Sequence, residues 1–126
     1  MTDHTKPVDI ARSFIEAFGR GDTTTVARLL AADVVFESPR VTIRGADPVA
    51  AAIGEFARAV TGVDIISALG DDERATVVYE MRTPFGPIRA VDHVVVRDGK
   101  ITSDLLVFDT YELRKAEESA AARESC

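Results

Sequence analysis

The spacing of the apolar residues changes once along this chain, near residue 63. Before that point apolar residues recur every three or four positions, which is the spacing of helices with one buried face. After it apolar and polar residues alternate, as they do in strands. This order predicts an α+β fold, in which about three helices pack on one face of a strongly curved antiparallel sheet.

Two helices are predicted near the beginning of the chain. The first covers residues 7–19, because Pro7 suits a first helical turn and apolar residues follow it at helical spacing. Asp22 or Thr23 would cap a short second helix, since their side-chain oxygens can accept hydrogen bonds from free N–H groups of the first turn.

A strand over residues 34–38 and a third helix complete the first half of the chain. Asp47 is the predicted cap of that helix, with Pro48 at its first position and Gly62 closing it. The later strands are separated only by short turns, so they predict an antiparallel meander. These four strands cover residues 63–69, 74–83, 88–97 and 100–109.

Size and charge restrict the function. The 126 residues predict a single domain over 8–111, a flexible N-terminus over 1–7 and a polar tail over 112–126, either a fraying helix or disordered. A net charge of −6 argues against a nucleic-acid partner, and the apolar runs are too short to span a membrane. Two histidines and one cysteine, Cys126, predict no metal site and no intrachain disulfide, which fits a cytoplasmic protein.

Strand alternation indicates which side chains face the core. In the second strand of the meander Tyr79 shares the apolar face, and in the third strand that face carries Asp92. A carboxylate among Ile, Ala and Val is costly unless it is protonated, paired or in a wet pocket. In the fourth strand alternation does not decide between the face with Ile101 and the face with Asp104.

Several segments then resemble a known family. The sequence resembles the nuclear transport factor 2-like superfamily, in its ketosteroid isomerase and SnoaL-like polyketide cyclase branch, over residues 8 to about 111. The resemblance implies a bent sheet around a deep apolar pocket, and homodimers formed through the outer sheet face. It is carried by residues 14–22 (FIEAFGRGD), 30–39 (LAADVVFESP), Arg44-Gly45 and 91–101 (VDHVVVRDGKI).

The isomerase pattern of the family is only partly present. Asp92 matches the family's protonated oxyanion-hole aspartic acid. The oxyanion-hole tyrosine falls on Phe14 and the general-base aspartate falls on Ser38, so steroid isomerisation by that mechanism is not expected. Asp104 lies where SnoaL-like cyclases place polar acid–base residues.

The resulting hypothesis is a cofactor-free enzyme that isomerises or cyclises a hydrophobic ring compound by acid–base catalysis. Asp92 would donate to or protonate a substrate oxygen, Asp104 would move a proton, and Tyr79 would orient the ring. The structural alternatives are a carboxylate of Asp92 satisfied by backbone and His93, a solvated Asp104, and a core role for Tyr79. The expected ligand-binding residues are Phe14, Phe18, Phe36, Ser38, Phe56, Met81, Leu106 and Phe108.

Two other functions stay open. One is a non-catalytic ligand-binding or dimerisation module, which the missing isomerase base favours. The other is an epoxide hydrolase, whose site in the resembling family combines two aspartates with an inward arginine. Arg44 and Arg82 are the candidates for that arginine.

Overall fold

The structure of the protein is a computed structural model that describes residues 6–111, 114, 115, 117–119 and 121. The predicted flexible N-terminus therefore lies mostly outside the described residues, and Pro7 already belongs to a helix. In the predicted tail, the described residues are helical and exposed, and the other residues lie outside the described part of the chain. No described helix is long and apolar enough to cross a membrane.

The first two helices form where the sequence predicts them. Helix α1 spans Pro7–Arg20 and helix α2 spans Thr23–Leu29. Asp22 caps α2, because its carboxylate accepts a hydrogen bond from the backbone N–H of Thr25 at 3.1 Å. Gly21, which separates the two helices, has a φ of 71°, a left-handed conformation that glycine adopts without strain.

Helix α3 spans Ala46–Ala57, and both predicted ends of this helix are wrong. Gly45 precedes it at a φ of 97°, so Asp47 lies inside the first turn and is not the cap. The helix ends before Gly62 because the next residues form shorter turns, in which backbone N–H groups bond carbonyls three residues back. Gly62 instead begins a strand.

Six strands form one curved, unclosed sheet in the order β2-β1-β6-β5-β4-β3. The predicted antiparallel meander is present as β3 to β6, but β1 pairs with β6 in parallel, so the sheet is mixed. Strand β1 begins earlier than predicted, and the short β2 was not predicted. The strands are β1 Leu30–Glu37, β2 Thr42–Arg44, β3 Gly62–Gly70, β4 Arg74–Thr83, β5 Gly86–Arg97 and β6 Lys100–Phe108.

The helices cover the inner face of the sheet. Helix α1 packs against β3, β4 and β5, and α3 packs against β1. Ile15 of α1, and Val77 and Met81 of β4, are fully buried where this helix packs on the sheet. Each such side chain contributes about 1.5–3 kcal/mol to stability because folding removes it from water.

A bulge in β6 explains why alternation could not assign that strand. Val95 of β5 lies opposite Ser103, while the next residue, Val96, lies opposite Ile101, so Thr102 is an extra residue in β6. Residues on opposite sides of the extra residue face the same side of the sheet when an odd number of positions separates them. Ile101 and Asp104 are therefore both buried.

Candidate active site

A cavity of about 270 Å³ lies between the helices and the inner face of the sheet. Its wall is mostly apolar, and three charged side chains reach it. Of the residues predicted to bind a ligand, only Met81 does not line the cavity, because it is enclosed in the core. The lining consists of Phe14, Ile15, Phe18, Phe36, Ser38, Arg40, Val41, Ile43, Ala52, Ile53, Phe56, Tyr79, Asp92, Asp104, Leu106 and Phe108.

Three aromatic rings from different elements form one wall of the cavity. Phe56 of α3 stacks against Phe18 of α1, with ring centroids 5.9 Å apart and planes 13° apart. On its other side Phe56 stacks against Phe108 of β6 at 6.3 Å and 29°. This wall suits a flat ring ligand, since offset stacking is favourable for aromatic rings.

Tyr79, Asp92 and Asp104 project into the cavity from three neighbouring strands. Asp92 of β5 lies opposite Val77 on one side and Leu106 on the other. Tyr79 of β4 and Asp104 of β6 are each two residues away from those partners, so both are diagonal neighbours of Asp92. Diagonal positions on one sheet face are within reach of long side chains.

Tyr79 and Asp92 form a short hydrogen bond inside the protein. The phenol of Tyr79 donates to Oδ1 of Asp92 at 2.6 Å, and both residues are at most 3% exposed. Burial raises the pKa of Tyr79 well above its ordinary value, and the charge of Asp92 raises it further. Tyr79 therefore remains a neutral donor throughout the physiological range.

Asp104 is the unusual member of the group. It is 1% exposed, and neither of its carboxylate oxygens accepts a hydrogen bond from any described residue. Burial raises the pKa of Asp104 well above its ordinary value, and the charge of Asp92 adds to the effect. Two neighbouring carboxyl groups in an apolar cavity favour a state with one proton between them, because two buried negative charges repel each other.

Asp92 is the better acceptor of the two. Burial also raises the pKa of Asp92, but the hydrogen bond from Tyr79 acts in the opposite direction. We call Asp92 and Asp104 the acid pair. Asp92 accepts the hydrogen bond of Tyr79, so it is the better placed of the two to carry the negative charge.

The positions of His93 and Ser38 answer two further questions that the sequence raises. His93 does not satisfy Asp92, because it lies on the outer face, where its Nδ1 contacts Oγ1 of Thr76 at 3.1 Å. Ser38 lines the cavity, but its hydroxyl organises the loop after β1, where it accepts hydrogen bonds from the backbone N–H groups of Arg40 and Val41.

The arginine that reaches the cavity is not one of those expected. Arg44 is exposed, and Arg82 is exposed beside Asp64, with which it forms an ion pair. Arg40, in the loop after β1, lines the cavity and forms an ion pair with Glu117. Its position directly after Ser38-Pro39, where β1 ends, was the available signal, because loops at strand ends often carry functional groups.

No metal site is formed by the side chains of the described residues, since they contain no suitable group of three His, Cys, Asp or Glu. The side chains that line the cavity offer acid–base chemistry from the acid pair and hydrogen bonding from Tyr79. This chemistry needs one substrate atom that loses a proton and one oxygen that gains a hydrogen bond.

Comparison with known proteins agrees with this fold. The family model described as "SnoaL-like domain" matches residues 11–104. A crystal structure of a Kribbella flavida protein shares 31% identity with a TM-score of 0.87, covering 97% of this chain and 99% of that one. No curated protein matches the sequence significantly.

Two solved structures with lower identity share the fold. A ketosteroid isomerase-like protein, also from Kribbella flavida, is 19% identical with a TM-score of 0.71, covering 82% of this chain and 77% of its own. An epoxide hydrolase of the LEH-like type from M. tuberculosis is 23% identical with a TM-score of 0.72, covering 88% of both chains. The family match and the 31% identical structure carry the conclusion: the chain belongs to the SnoaL-like family, within the nuclear transport factor 2-like fold.

Proposed function

We propose that this protein is an enzyme that isomerises or cyclises a hydrophobic ring compound by moving a proton next to a carbonyl group. The observation that carries the proposal is the acid pair: two buried carboxyl groups in an apolar cavity, of which Asp92 accepts a hydrogen bond from Tyr79 and Asp104 has no donor among the described residues. Two carboxyl groups whose surroundings separate their pKa values supply an acid and a base at the same pH.

The two carboxyl groups have complementary roles in this reaction. The carboxylate of Asp92 removes a proton from the carbon beside the carbonyl, and the electron pair of that C–H bond forms the enol double bond. The protonated Asp104 donates its hydrogen bond to the carbonyl oxygen, where negative charge develops. Return of the proton from Asp92 to a different carbon completes an isomerisation. In a cyclisation the enol carbon instead attacks a second carbonyl carbon, the C=O double bond becomes a single bond, and its oxygen takes the proton from Asp92.

Tyr79 is a positioning residue for this base. Its hydrogen bond fixes Oδ1 of Asp92, which leaves Oδ2 for the substrate. The aromatic wall of Phe18, Phe56 and Phe108 would hold the ring flat beside the acid pair. A volume of about 270 Å³ lies just below the roughly 300–1,000 Å³ of typical small-molecule pockets, which favours substrates with one or two rings.

The proposal can be tested before the natural substrate is known. The two-ring ketone 1-tetralone, in D₂O, reports proton removal as loss of its α-proton signal in the ¹H NMR spectrum. We expect the protein to accelerate this exchange, and Asp92→Asn and Asp104→Asn to lower the acceleration about 100-fold or more. Asp72→Asn, which changes an exposed aspartate, is the matched control.

Equal exchange rates in the wild type and in the two acid-pair variants would contradict the proposal. Binding of 1-tetralone without any exchange would instead favour the non-catalytic binding module. Circular dichroism of each variant distinguishes loss of chemistry from loss of fold.

An epoxide hydrolase is the second candidate, because the acid pair also meets its chemical needs. Asp104 could protonate the epoxide oxygen while Asp92 removes a proton from the attacking water, so that one C–O bond breaks and another forms. Conversion of styrene oxide to its diol tests this candidate. Neither Arg44 nor Arg82 lines the cavity, and the arginine that does is Arg40.

We also infer a cytoplasmic homodimer that forms through the outer face of the sheet. Leu105 and Val107 of β6 are exposed on that face, at 38% and 53%, beside half-buried Val91 and Val95. Burying such a patch between two copies would remove apolar surface from water. Sedimentation analysis should show a dimer that Val107→Glu converts to monomers, and a monomeric wild type would contradict the inference.

A further inference from the structure

Arg40 gives the cavity a second polar end. Among the described residues that line the cavity, Arg40 alone carries a positive charge. Its side chain is 45% exposed while it lines the cavity, so it lies at the opening. The acid pair is almost completely buried and therefore lies at the closed end. An apolar cavity thus separates a positive opening from a negative closed end.

The orientation of a charged ligand follows from this separation. A carboxylate at the closed end would face the negative charge of Asp92 in an apolar environment, which is strongly unfavourable. The same carboxylate at the opening would meet a guanidinium, whose planar N–H groups suit carboxylate oxygens. An acidic ring compound would therefore enter with its carboxylate outward and an uncharged oxygen inward.

The protein already shows that Arg40 can bind a carboxylate in this place. The Nη2 atom of Arg40 donates to both carboxylate oxygens of Glu117, at 3.0 and 3.3 Å. Glu117 lies 77 residues away in sequence, and its side chain is 60% exposed. An exposed ion pair of this kind contributes little to stability, so a ligand can replace it at small cost.

We propose that the substrate is a ring compound with a carboxylate group, which Arg40 binds at the opening by displacing Glu117. This inference rests on the proposed function, because it places the carbonyl of the same substrate at the acid pair. Arg40 is then a specificity-determining residue, and Glu117 competes with the substrate for it.

Binding of two matched probes tests the inference. 2-Naphthoate carries the carboxylate, and 2-naphthamide has the same ring system and nearly the same shape without the charge. By isothermal titration calorimetry at low salt, we expect the wild type to bind 2-naphthoate about tenfold more tightly than 2-naphthamide. Arg40→Gln should remove this preference, and Glu117→Gln should increase it two- to threefold.

Arg58→Gln is the control, because Arg58 also forms an exposed ion pair with a glutamate, Glu55, but does not line the cavity. It should leave the preference unchanged.

A preference that persists in Arg40→Gln, or equal binding of the two probes by the wild type, would overturn the inference. Neither result bears on the exchange of 1-tetralone, which has no carboxylate, so failure of the inference is distinguishable from failure of the proposed function. Failure of both probes to bind would also overturn it.

Discussion

The aspartates of the turns and those of the cavity have the same side chain, but their pKa values are shifted in opposite directions. Asp22 accepts hydrogen bonds from the backbone N–H and the hydroxyl of Thr25, and Asp71 accepts two backbone N–H bonds at 2.8 Å. These bonds lower the pKa of both turn aspartates. Asp104 has no such donors, and burial raises its pKa. The donors around a carboxyl group, together with its burial, therefore decide its charge.

This difference separates acids that stabilise the fold from the acids of the proposed active site. A carboxylate that ends a turn or a helix satisfies N–H groups that would otherwise lack partners, so it favours folding. A carboxyl group enclosed among apolar residues opposes folding, and its retention is understandable if it performs chemistry. The following predictions test this separation.

The largest effect on stability is expected at Asp104. Its raised pKa means that the folded protein keeps a proton which the unfolded chain releases above an ordinary pKa of 3.8. Stability should therefore fall as the pH rises from that value. Asp104→Asn removes this dependence, and its amide can donate to Asp92. We expect the variant to be more stable than the wild type by about 1–3 kcal/mol at pH 7.5, measured by urea unfolding.

The gain should disappear near pH 3, where the folded and the unfolded wild type both hold the proton. A variant that is destabilised equally at both pH values would show that Asp104 has a structural role. Asp72→Asn, treated in the same way, should show neither the gain nor its pH dependence.

A smaller effect is expected at Tyr79. Its hydrogen bond lowers the pKa of Asp92, so Tyr79→Phe should raise that pKa and move the acidic limb of the exchange profile to higher pH. The rate at neutral pH should fall about tenfold, as loss of one hydrogen bond to a charged group implies. An exchange profile that keeps its position while only its height falls would argue against control of Asp92 by Tyr79.

The smallest effect is expected at Asp22. Asp22→Ala removes the cap of α2, so the melting temperature should fall by a few degrees at pH 7. Because its pKa is lowered in the folded state, its stabilising effect should fade as the pH falls below the ordinary range of aspartate. Exchange of 1-tetralone should not change, and a clear loss of exchange would contradict the separation of the two classes.

Most of the fold could be predicted from sequence, because one periodicity change and the turn residues determine it locally. The hairpin turns place β3 to β6 in sequence order, and Pro7 and Asp22 set the beginnings of α1 and α2. The parallel pairing of β1 with β6 depends on contacts between distant segments, and alternation within a strand carries no information about its neighbours.

The candidate site was predictable where alternation is regular. Tyr79 and Asp92 lie on strands β4 and β5, whose pairing has no register shift, so the inward face follows from the sequence. Arg40 lies in a loop, where no periodicity applies, and Glu117 reaches it from the other end of the chain. The raised pKa of Asp104 depends on its burial beside Asp92 without donors, an arrangement in space that the sequence does not reveal.

The bulge at Thr102 has a consequence for how this strand is compared between related proteins. Because Thr102 is the extra residue, a strand without it would alternate regularly and would still place Asp104 opposite Val94, on the inner face. Functional residues of relatives should accordingly be matched through strand pairing with β5, because counting positions along β6 would pair an inward residue with an outward one.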